Sequence, residues 1–523
     1  MEYQLVIGQL LDTGLRAAAA QKITYGLDVE MTFAEFGQRV TRLGSALAAL
    51  GLGQGSVVAV MDYDSHRYLE CFFAVPMLGA TLHTVNVRLS PEQVLYTINH
   101  AQDDAILVHQ DFLPMLLPLL PRLTRPVVLV LLSDGAADLP PGFAGTYETL
   151  PAAPGFRFPD LPETTRATLF YTTGTTGQPK GVSYTHRELV LHSLGVIACF
   201  APVPGRGGIK SDDVYMPLTP MFHVHGWGFP YIAVMLGMRQ IYPGRYEPAR
   251  LLHLIEQHGV TFSHCVPTVL TMILNAPGSD KIDLSRWKVI IGGSALPEGL
   301  ARAALARGID IHAGYGMSET CPVLTIADMG GDGTVPVRVA TGRPIPLVQV
   351  RVVDPAMQDV ARDGTATGEV VARAPWLTAG YLRDTAASDA LWAGGWLHTG
   401  DVGWIDAGGT LRITDRLKDV IKSGGEWISS LELESIVSAV PGVVEVAAVG
   451  MPDATWGERP VVLVVATGEV EAMVHAAVAT AIAAGRLSKW AAPERVVAVD
   501  SIPKTSVGKI DKKRIRLDLA ARV

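Results

Sequence analysis

The alternation of two hydrophobic periods constrains the fold of this chain more than any other feature. Short apolar runs such as VVAVM (57 to 61), AILVH (105 to 109) and VVLVLL (127 to 132) alternate with longer helical patterns such as FGQRVTRLGSALAALG. This alternation predicts parallel α/β layers. It recurs through DVYMPL, RLLHLIEQHG, WKVIIGG and EGLARAALARG, so the predicted fold class is α/β and doubly wound.

The length of 523 residues exceeds what one hydrophobic core normally supports, so division into domains is expected. After about Gly364, short strands separated by turn residues, as in TGEVVARAP and GWIDAGGTLRITD, predict a small β-rich subdomain. From Lys418, a helix, two strands, a helix and a strand predict a compact α+β domain. We therefore predict an N-terminal domain over 1–417 and a C-terminal domain over 418–523.

Charge and cysteine usage exclude several classes of function. The formal charge is -8 and the basic residues are scattered, so no nucleic-acid partner is predicted. The four cysteines have no CxxC spacing and no neighbouring histidine pair, which argues against a zinc site or a disulfide framework and favours the cytoplasm. No signal peptide is predicted, because the first residues have no basic n-region and reach Asp12 quickly, and no membrane span is predicted, because Pro, Gly or His break the most apolar stretches.

A phosphate-binding loop is predicted at residues 171 to 181, which read YTTGTTGQPKG. Glycines let the backbone approach an anion, four threonine hydroxyls can donate hydrogen bonds, and Lys180 supplies a cation. The Walker A pattern does not match, because Pro179 precedes Lys180 and no Ser or Thr follows it directly. Thr185 and Glu188 have capping-box spacing, so a helix is expected soon after the loop. Taken alone, the string could also be a Gly/Thr-rich surface turn.

This loop resembles the signature loop of the adenylate-forming superfamily, which includes acyl-CoA synthetases, luciferases and adenylation domains of peptide synthetases. Thr173 stands where that loop often carries serine, which keeps the hydroxyl. The resemblance runs from about Met31 to Asp511, and further motifs follow in the family's order. It implies an enzyme that uses ATP and Mg²⁺ to form an acyl-adenylate, and a small C-terminal domain that is mobile.

The segment GYGMSET (314 to 320) resembles the family's adenine-binding motif. The resemblance implies that Tyr315 stacks on the base, that Thr320 contacts the α-phosphate and that Glu319 holds Mg²⁺, for which carboxylate oxygen is a suitable ligand. The other interpretation is a buried tyrosine beside a solvated glutamate. A GxSxG hydrolase elbow does not match, because Thr320 occupies the position of the last glycine.

Later motifs supply the remaining roles by resemblance. In WLHTGDVGWID, Asp401 matches the ribose-binding aspartate, and in ITDRLKDVIKSGGEWIS, Arg416 matches a ribose or phosphate ligand and Lys418 the hinge between domains. The stretch GGEW (424 to 427) matches the family's segment that lines the route of the CoA thiol. In IPKTSVGKIDKK, Lys509 matches the catalytic lysine of adenylation, whereas composition alone would suggest a solvated basic patch.

The acyl group is the least constrained part of the prediction. In PMFHVHGWGFPY (220 to 231), His223 matches a residue near the substrate carboxylate and Trp227 a tryptophan that gates the acyl tunnel of similar fatty-acid enzymes. Both could instead be structural residues. Medium- to long-chain fatty acids are therefore expected, with short-chain or thioether alkanoates such as methylmercaptopropionate, a carrier-protein acceptor in place of CoA, and a non-catalytic nucleotide-binding module as alternatives. Similar fatty-acid enzymes are often homodimers, which leaves a homodimer open.

The predicted site residues form six groups. The catalytic candidates are Lys509, His223 and Lys180, and the metal candidates are Thr172 and Glu319. The ATP- or AMP-binding candidates are Thr172, Thr173, Gly174, Thr175, Thr176, Gly177, Lys180, Gly293, Ser294, Ala295, Gly314, Tyr315, Gly316, Thr320, Asp401 and Arg416. The acyl-pocket candidates are Trp227, Val266 and Gly292, the CoA candidates are Gly424, Gly425, Glu426 and Trp427, and the hinge is Lys418.

Overall fold

A computed structural model describes residues 3–172, 178–203, 207–330, 333–506 and 508–521. The chain divides into two compact units. The first comprises residues 1–264, 317–323 and 374–389, and the second comprises residues 265–316, 324–373 and 390–523. This division cuts across the predicted N-terminal domain, so the boundary at Lys418 stays a prediction.

Parallel strands dominate the first unit. Its strands are β1 (Lys22–Tyr25), β2 (Val29–Thr32), β3 (Val57–Met61), β4 (Thr81–Thr84), β5 (Ala105–His109), β6 (Val128–Leu132), β7 (Gly145–Thr146), β8 (Arg166–Thr172), β9 (Lys180–Thr185), β10 (Val214–Tyr215), β11 (Arg239–Tyr242) and β12 (Phe262–Cys265). A seven-stranded sheet has the order β7-β6-β5-β3-β4-β8-β9, parallel except for the antiparallel pair of β8 and β9. A second set of neighbours runs β2-β1-β11-β10-β12.

Helices alternate with these strands, as the sequence period predicts. They span Gly8–Ala18, Phe33–Ala49, His66–Met77, Pro91–Ala101, Leu113–Leu116, His186–Phe200, Phe229–Met235, Pro248–His258, Pro267–Leu274, Glu298–Ala306, Val335–Arg338, Thr385–Leu391, Ser430–Ser438, Glu471–Ala483 and Lys512–Ala520. Capping boxes at Thr32, Ser90 and Thr185 fix where three of them begin. The box predicted from Thr185 and Glu188 is confirmed.

The second unit carries more antiparallel structure. The remaining strands are β13 (Lys288–Ile291), β14 (Asp310–Gly316), β15 (Val323–Ile326), β16 (Arg343–Pro344), β17 (Gln349–Val353), β18 (Gly368–Arg373), β19 (Leu397–Ile405), β20 (Leu411–Arg416), β21 (Ile421–Ser423), β22 (Glu426–Ile428), β23 (Val443–Asp453), β24 (Gly457–Ala466) and β25 (Arg495–Ala498). Strands β13 and β14 are parallel, whereas β17, β18, β19 and β20 form an antiparallel sheet in that order. That sheet is the predicted β-rich subdomain.

Residues after Lys418 have a sheet and cores of their own. The sheet order is β22-β21-β24-β23, and β25 pairs in parallel with β24. Buried side chains from the helix Ser430–Ser438 and from β23 and β24 form one core cluster, and the helix Lys512–Ala520 packs on the other face of these strands through a second cluster. The predicted α/β fold class, with a small α+β C-terminal domain, is confirmed. No helix in the described ranges is long and apolar enough to cross a membrane.

The structure predicts a specific sensitivity at Gly342, whose φ is +92°. A Cβ atom there would lie 1.9 Å from the Ile326 carbonyl oxygen. Gly342 also forms two main-chain hydrogen bonds with Leu411, next to the antiparallel sheet. We expect Gly342→Ala to lower the free energy of unfolding by more than about 3 kcal/mol, since both strain and a clash oppose the methyl group.

Gly409 is the matched control, because its φ is +81° but a Cβ there would meet nothing within 4 Å. Gly409→Ala should cost about 1 kcal/mol from the left-handed backbone alone. Urea unfolding followed by tryptophan fluorescence measures both variants. Equal losses of stability would contradict the packing argument for Gly342.

Candidate active site

The ends of the predicted phosphate loop face each other across two strands of the first unit. The register of β8 and β9 sets Thr172 directly opposite Lys180. Directly opposite residues in an antiparallel pair project from the same face of the sheet. The loop residues Thr173, Gly174, Thr175, Thr176 and Gly177 lie outside the described residues. The hairpin therefore brings Thr172 and Lys180 together, and the roles of the intervening residues stay predictions.

Tyr381 joins the predicted metal ligand and the predicted phosphate cation in the first unit. Its hydroxyl donates a 2.7 Å hydrogen bond to Glu319 Oε1. Lys180 Nζ lies 4.5 Å from the centroid of the same phenol ring, within the range of a cation–π contact. Burial and the Glu319 carboxylate raise the pKa of Tyr381, so the phenol stays protonated and remains a donor. One aromatic side chain thus orients both an anion and a cation.

The short turn that carries Glu319 is held from β9. Tyr184 Oη donates a 2.6 Å hydrogen bond to the Ser318 carbonyl oxygen. Thr320 is fully buried, and its hydroxyl accepts from the Met317 N–H at 3.0 Å and donates to the Pro322 carbonyl oxygen. The hydroxyl predicted to contact the α-phosphate is therefore engaged within its own turn. The role of Thr320 in nucleotide binding stays a prediction.

The segment between His223 and the helix Phe229–Met235 is a left-handed turn. All residues from Val224 to Gly228 have φ between +44° and +75°. The Gly226 and Gly228 N–H groups donate to the carbonyl oxygens of His223 and His225 at 3.1 Å each. Non-glycine residues pay about 1–2 kcal/mol each for this backbone, and such strain concentrates at functional sites. The predicted carboxylate residue His223 immediately precedes this strained turn, and the predicted gate residue Trp227 lies within it.

Trp227 is packed in the interior of the first unit. Its side chain is 5% exposed, and its ring centroid lies 5.2 Å from that of His264. The His264 ring in turn contacts Tyr215 Oη at 2.8 Å and Thr219 Oγ1 at 3.1 Å. Burial fits an ordinary core residue as well as a closed gate. The gating role of Trp227 therefore stays a prediction.

Three histidines near this turn are buried and neutral. Burial lowers the pKa values of His192, His225 and His264 to about 3 each. The Nε2 atom of His192 accepts the Val323 N–H at 3.3 Å, and a Cβ atom on Gly228 would lie 2.9 Å from Nδ1 of the same ring. These neutral imidazoles therefore contribute to the packed core in and around the strained turn.

Tyr315, Asp401 and Arg416 form the predicted nucleoside site in the second unit. The register of β19 and β20 sets Asp401 opposite Arg416, and Arg416 Nε lies 3.2 Å from Asp401 Oδ1. Tyr315 Oη donates a 2.8 Å hydrogen bond to Asp401 Oδ2. The Tyr315 ring packs against the core of the antiparallel sheet. Residues that are far apart in sequence therefore converge on one carboxylate, and their roles in binding the nucleoside stay predictions.

The Asp401 carboxylate is 4% exposed, and its burial raises the pKa of the group. The positive charges of Arg416 and Lys509 and the hydrogen bond from Tyr315 oppose that shift. Lys509, the predicted catalytic lysine, is thus close enough to influence a carboxylate predicted to bind ribose. The loop that carries Lys509 also contacts residue 268, because Thr268 Oγ1 donates a 2.9 Å hydrogen bond to the Gly508 carbonyl oxygen.

The remaining nucleotide and acyl candidates of the second unit lie in the last residues of a strand or directly after it. Gly292 N–H donates to the Cys265 carbonyl oxygen at 3.1 Å, which brings Gly292 beside Val266. Gly293 has φ +77°, and the adjacent side chains of Ser294 and Ala295 are exposed. Gly314 and Gly316 flank Tyr315 in β14, and a Cβ atom on Gly314 would lie 3.1 Å from Ile290. Close packing between strands therefore explains why a glycine is needed at position 314, independently of its predicted role in nucleotide binding.

The predicted hinge residue Lys418 is exposed in a turn between β20 and β21. Residues before and after it are connected by a buried polar network. Ser430 donates from its N–H and its hydroxyl to Asp415 Oδ2 at 2.6 and 2.7 Å. Lys512 Nζ lies 2.5 Å from Ser430 Oγ and 2.8 Å from Glu434 Oε1. A rotation about Lys418 would have to break the bonds between Asp415 and Ser430.

The predicted CoA residues lie on a hairpin. Gly424 and Gly425 have φ of +59° and +84° and connect β21 to β22, which is the backbone of a two-residue hairpin turn. The side chains of Glu426 and Trp427 are exposed. The turn gives both glycines a structural reason, so their role in passing CoA stays a prediction.

Sequence reasoning missed several side chains in these clusters. Tyr381 follows a Gly in TAGYLRD, a context that carries no chemical signal by itself. Trp456 and Trp490 form a ring pair with centroids 4.7 Å apart, and a Cβ atom on Gly424 would lie 3.0 Å from the Trp490 ring. Tryptophans isolated in the sequence could not reveal this pairing. The contact between Thr268 and Gly508 was likewise hidden, because the two residues lie 240 positions apart.

The chain matches known protein families over most of its length. Residues 14–382 match the AMP-binding enzyme family and residues 432–509 match the AMP-binding enzyme C-terminal domain. The chain therefore belongs to the AMP-binding enzymes of the adenylate-forming superfamily.

Its relatives are acyl-CoA ligases over nearly the whole length. The chain is 40% identical to a long-chain-fatty-acid–CoA ligase of Thermus thermophilus, over 93% of this chain and 89% of the relative. It is 37% identical to a 3-methylmercaptopropionyl-CoA ligase of Ruegeria pomeroyi, over 99% and 98%. The crystal structure of the anthranilate CoA ligase AuaEII with anthranoyl-AMP has the same fold, with a TM-score of 0.89 over 100% of this chain and 99% of that chain at 24% identity.

The buried histidines predict acid lability of the first unit. A histidine whose folded pKa is about 3 cannot bind a proton that the unfolded chain binds near pH 6.5, so its stabilising contribution is lost as the pH falls below about 6.5. Between about pH 7.5 and pH 5.5, each such histidine should lower the free energy of unfolding by about 1.4 kcal/mol.

His192→Gln should reduce that decline by the same amount, whatever the substitution costs at neutral pH. His253→Gln, at an exposed position, is the control and should leave the decline unchanged. Urea unfolding of the three proteins at both pH values measures the difference. An equal decline in all three proteins would contradict the assignment of His192 as neutral in the folded state.

Proposed function

We propose that this chain is an acyl-CoA synthetase that converts a carboxylic acid, ATP and CoA into acyl-CoA, AMP and diphosphate through an acyl-adenylate. One observation carries the proposal. Lys509, Arg416 and Tyr315 all act on the buried carboxylate of Asp401 in the second unit. A nucleoside can hydrogen-bond such a carboxylate through its ribose hydroxyls, and a lysine beside it is within reach of the adjoining phosphate.

The first step needs charge stabilisation rather than a protein nucleophile. A carboxylate oxygen of the acid attacks the α-phosphorus of ATP, the bond from that phosphorus to the bridging oxygen breaks, and pyrophosphate leaves. Lys509 would neutralise charge between the carboxylate and the α-phosphate, and Lys180 would face the departing phosphates. The contact of Lys180 with the Tyr381 ring supports a fixed direction for this cation.

Mg²⁺ is expected to accompany ATP, and the residues of the first unit fit it. Protein sites usually hold Mg²⁺ through one or two carboxylates, with phosphate oxygens and water as the other ligands. Glu319 supplies a carboxylate whose Oε1 is oriented by Tyr381, and Thr172 supplies a hydroxyl opposite Lys180. When bound there, the ion would neutralise charge on the phosphates.

The second step transfers the acyl group to a thiol. The sulfur attacks the carbonyl carbon, the bond from that carbon to the adenylate oxygen breaks, AMP leaves, and the thiol proton is released. The glycine turn at Gly424 and Gly425, with Trp427 exposed beside it, would admit the pantetheine. The tilted ring pair of Trp456 and Trp490 adds an apolar surface next to Gly424, which supports CoA as the acceptor.

Medium- to long-chain fatty acids are the proposed substrates, with His223 near the carboxylate and Trp227 as the gate of the acyl tunnel. Relatives act on long-chain fatty acids and on 3-methylmercaptopropionate, so a short thioether alkanoate is the second candidate. The strained turn from Val224 to Gly228 supports a functional rather than a purely structural role for both residues. A cytoplasmic homodimer is the proposed state of the enzyme.

A pyrophosphate-release assay over aliphatic and aromatic acids tests the function, with and without CoA. Lys509→Ala should slow acyl-adenylate formation about 100- to 1000-fold, because a cation about 4 Å from the reacting phosphate contributes about 4 kcal/mol. The same variant should still make thioester from synthetic acyl-adenylate and CoA.

Lys513→Ala, which removes another lysine of the same segment, is the control and should leave both steps unchanged. An equal loss of both steps in Lys509→Ala would contradict the role of Lys509. Pyrophosphate release without thioester formation in the wild-type protein would point to a carrier-protein thiol as the acceptor, and no release with any acid would contradict the function itself.

Trp227→Ala should broaden the range of chain lengths that the wild-type protein accepts, because removing the indole opens space beside His264. The measurement is kcat/KM over a series of straight-chain acids. Phe229→Leu is a matched control, since Phe229 is also buried and its ring stacks on the same imidazole at 4.6 Å. If the two variants have the same profile of chain lengths, Trp227 is an ordinary core residue.

A further inference from the structure

Thr268 contacts the loop that carries Lys509. It lies at the start of the helix Pro267–Leu274, and its Oγ1 donates a 2.9 Å hydrogen bond to the Gly508 carbonyl oxygen. Gly508 immediately precedes Lys509 and has φ +82°. A Cβ atom there would lie 3.2 Å from Thr268 Oγ1 and 3.5 Å from Val266. The lysine-bearing loop therefore rests closely on residues 266 and 268.

The loop is held together by its own hydrogen bonds. Thr505 N–H donates to the Lys509 carbonyl oxygen at 2.7 Å, and Lys509 N–H donates to Thr505 Oγ1 at 3.2 Å. Gly508 N–H donates to the Thr505 carbonyl oxygen at 2.9 Å. Because these bonds hold Thr505, Gly508 and Lys509 together, the bond from Thr268 to Gly508 restrains the position of Lys509 in the second unit.

Other contacts also connect the residues before Lys418 with those after it, but they act elsewhere. Gly299 N–H donates to Ser438 Oγ at 3.3 Å, and Arg486 lies 3.7 Å from Glu298. Ser430 contacts Asp415, close to the hinge itself. The bond from Thr268 differs from these contacts because it ends on the residue next to the proposed catalytic lysine.

We infer that Thr268 is a positioning residue for the first half-reaction: its hydroxyl holds the Lys509 loop where the ammonium group can meet the α-phosphate, and the bond breaks before the thiol step. The inference rests on the proposed function and on Lys418 as the hinge. Thr268 is not a catalytic residue, since its hydroxyl proton is given to a main-chain carbonyl. The bond favours one arrangement of the C-terminal residues, so its loss should affect the two half-reactions differently.

The test compares Thr268→Val, which keeps the shape of the side chain but loses the donor, with Thr268→Ser, which keeps the hydroxyl. Thr268→Val should slow single-turnover acyl-adenylate formation about 3- to 10-fold, the effect of one ordinary hydrogen bond. Thioester formation from synthetic acyl-adenylate and CoA should be unchanged or faster. Thr268→Ser should restore the wild-type ratio of the two rates, and Thr268→Ala provides the same test if the valine variant does not fold.

Two controls separate positioning from a general structural role. Arg486→Ala removes another contact across the hinge and should leave the ratio of the half-reactions unchanged. In a Lys509→Ala background, Thr268→Val should have no further effect on adenylate formation, since the loop then has no ammonium group to position.

Three results would overturn the inference: an equal loss of both half-reactions in Thr268→Val, unaltered adenylate formation in that variant, or failure of Thr268→Ser to restore the ratio. A wild-type protein that forms no adenylate from any acid would refute the proposed function instead. The wild-type measurements therefore keep the two failures apart.

Discussion

Burial of the Asp401 carboxylate determines which groups must surround it in the second unit. An isolated ionised carboxylate is costly to bury, so the surrounding residues must supply hydrogen bonds and positive charge. Tyr315 and Arg416 do so from β14 and β20, and the charge of Lys509 acts from the C-terminal residues. The register between β19 and β20 is what brings Arg416 opposite Asp401, and a shift by one residue would turn the arginine to the other face.

In the first unit, the aromatic side chain of Tyr381 stabilises a buried carboxylate and a nearby ammonium group. Glu319 is 6% exposed and Lys180 carries a positive charge, and Tyr381 contacts both. The hydroxyl satisfies the carboxylate while the ring face attracts the ammonium group. Nearby, the chain from Val224 to Gly228 adopts left-handed conformations that cost energy, and buried neutral histidines pack around them. The surrounding core must therefore compensate for that strain.

The spacing of apolar residues along the chain predicts most of the fold. The strands at 57 to 61 and 105 to 109 and the helices around 36 to 49 and 248 to 258 appear where alternation and amphipathic spacing indicated them. The capping box at Thr185 and Glu188 could be predicted from the sequence because its two partners are three residues apart. Each of these features depends on neighbours in sequence. By contrast, the boundary of the compact units could not be predicted, because it depends on which segments pack together over long separations.

The class of chemistry could be predicted from local strings of residues, because the threonine and glycine loop, the acidic and aromatic residues of GYGMSET, and Lys509 in IPKTSVGKIDKK occur in an order that carries the family resemblance. The side chains that these groups contact are set by the tertiary structure. Tyr381 on Glu319, Trp456 on Trp490 and Thr268 on Gly508 pair residues between 34 and 240 positions apart. No local pattern records such pairs, because strand register and packing between distant segments, rather than composition or spacing, determine which side chains meet.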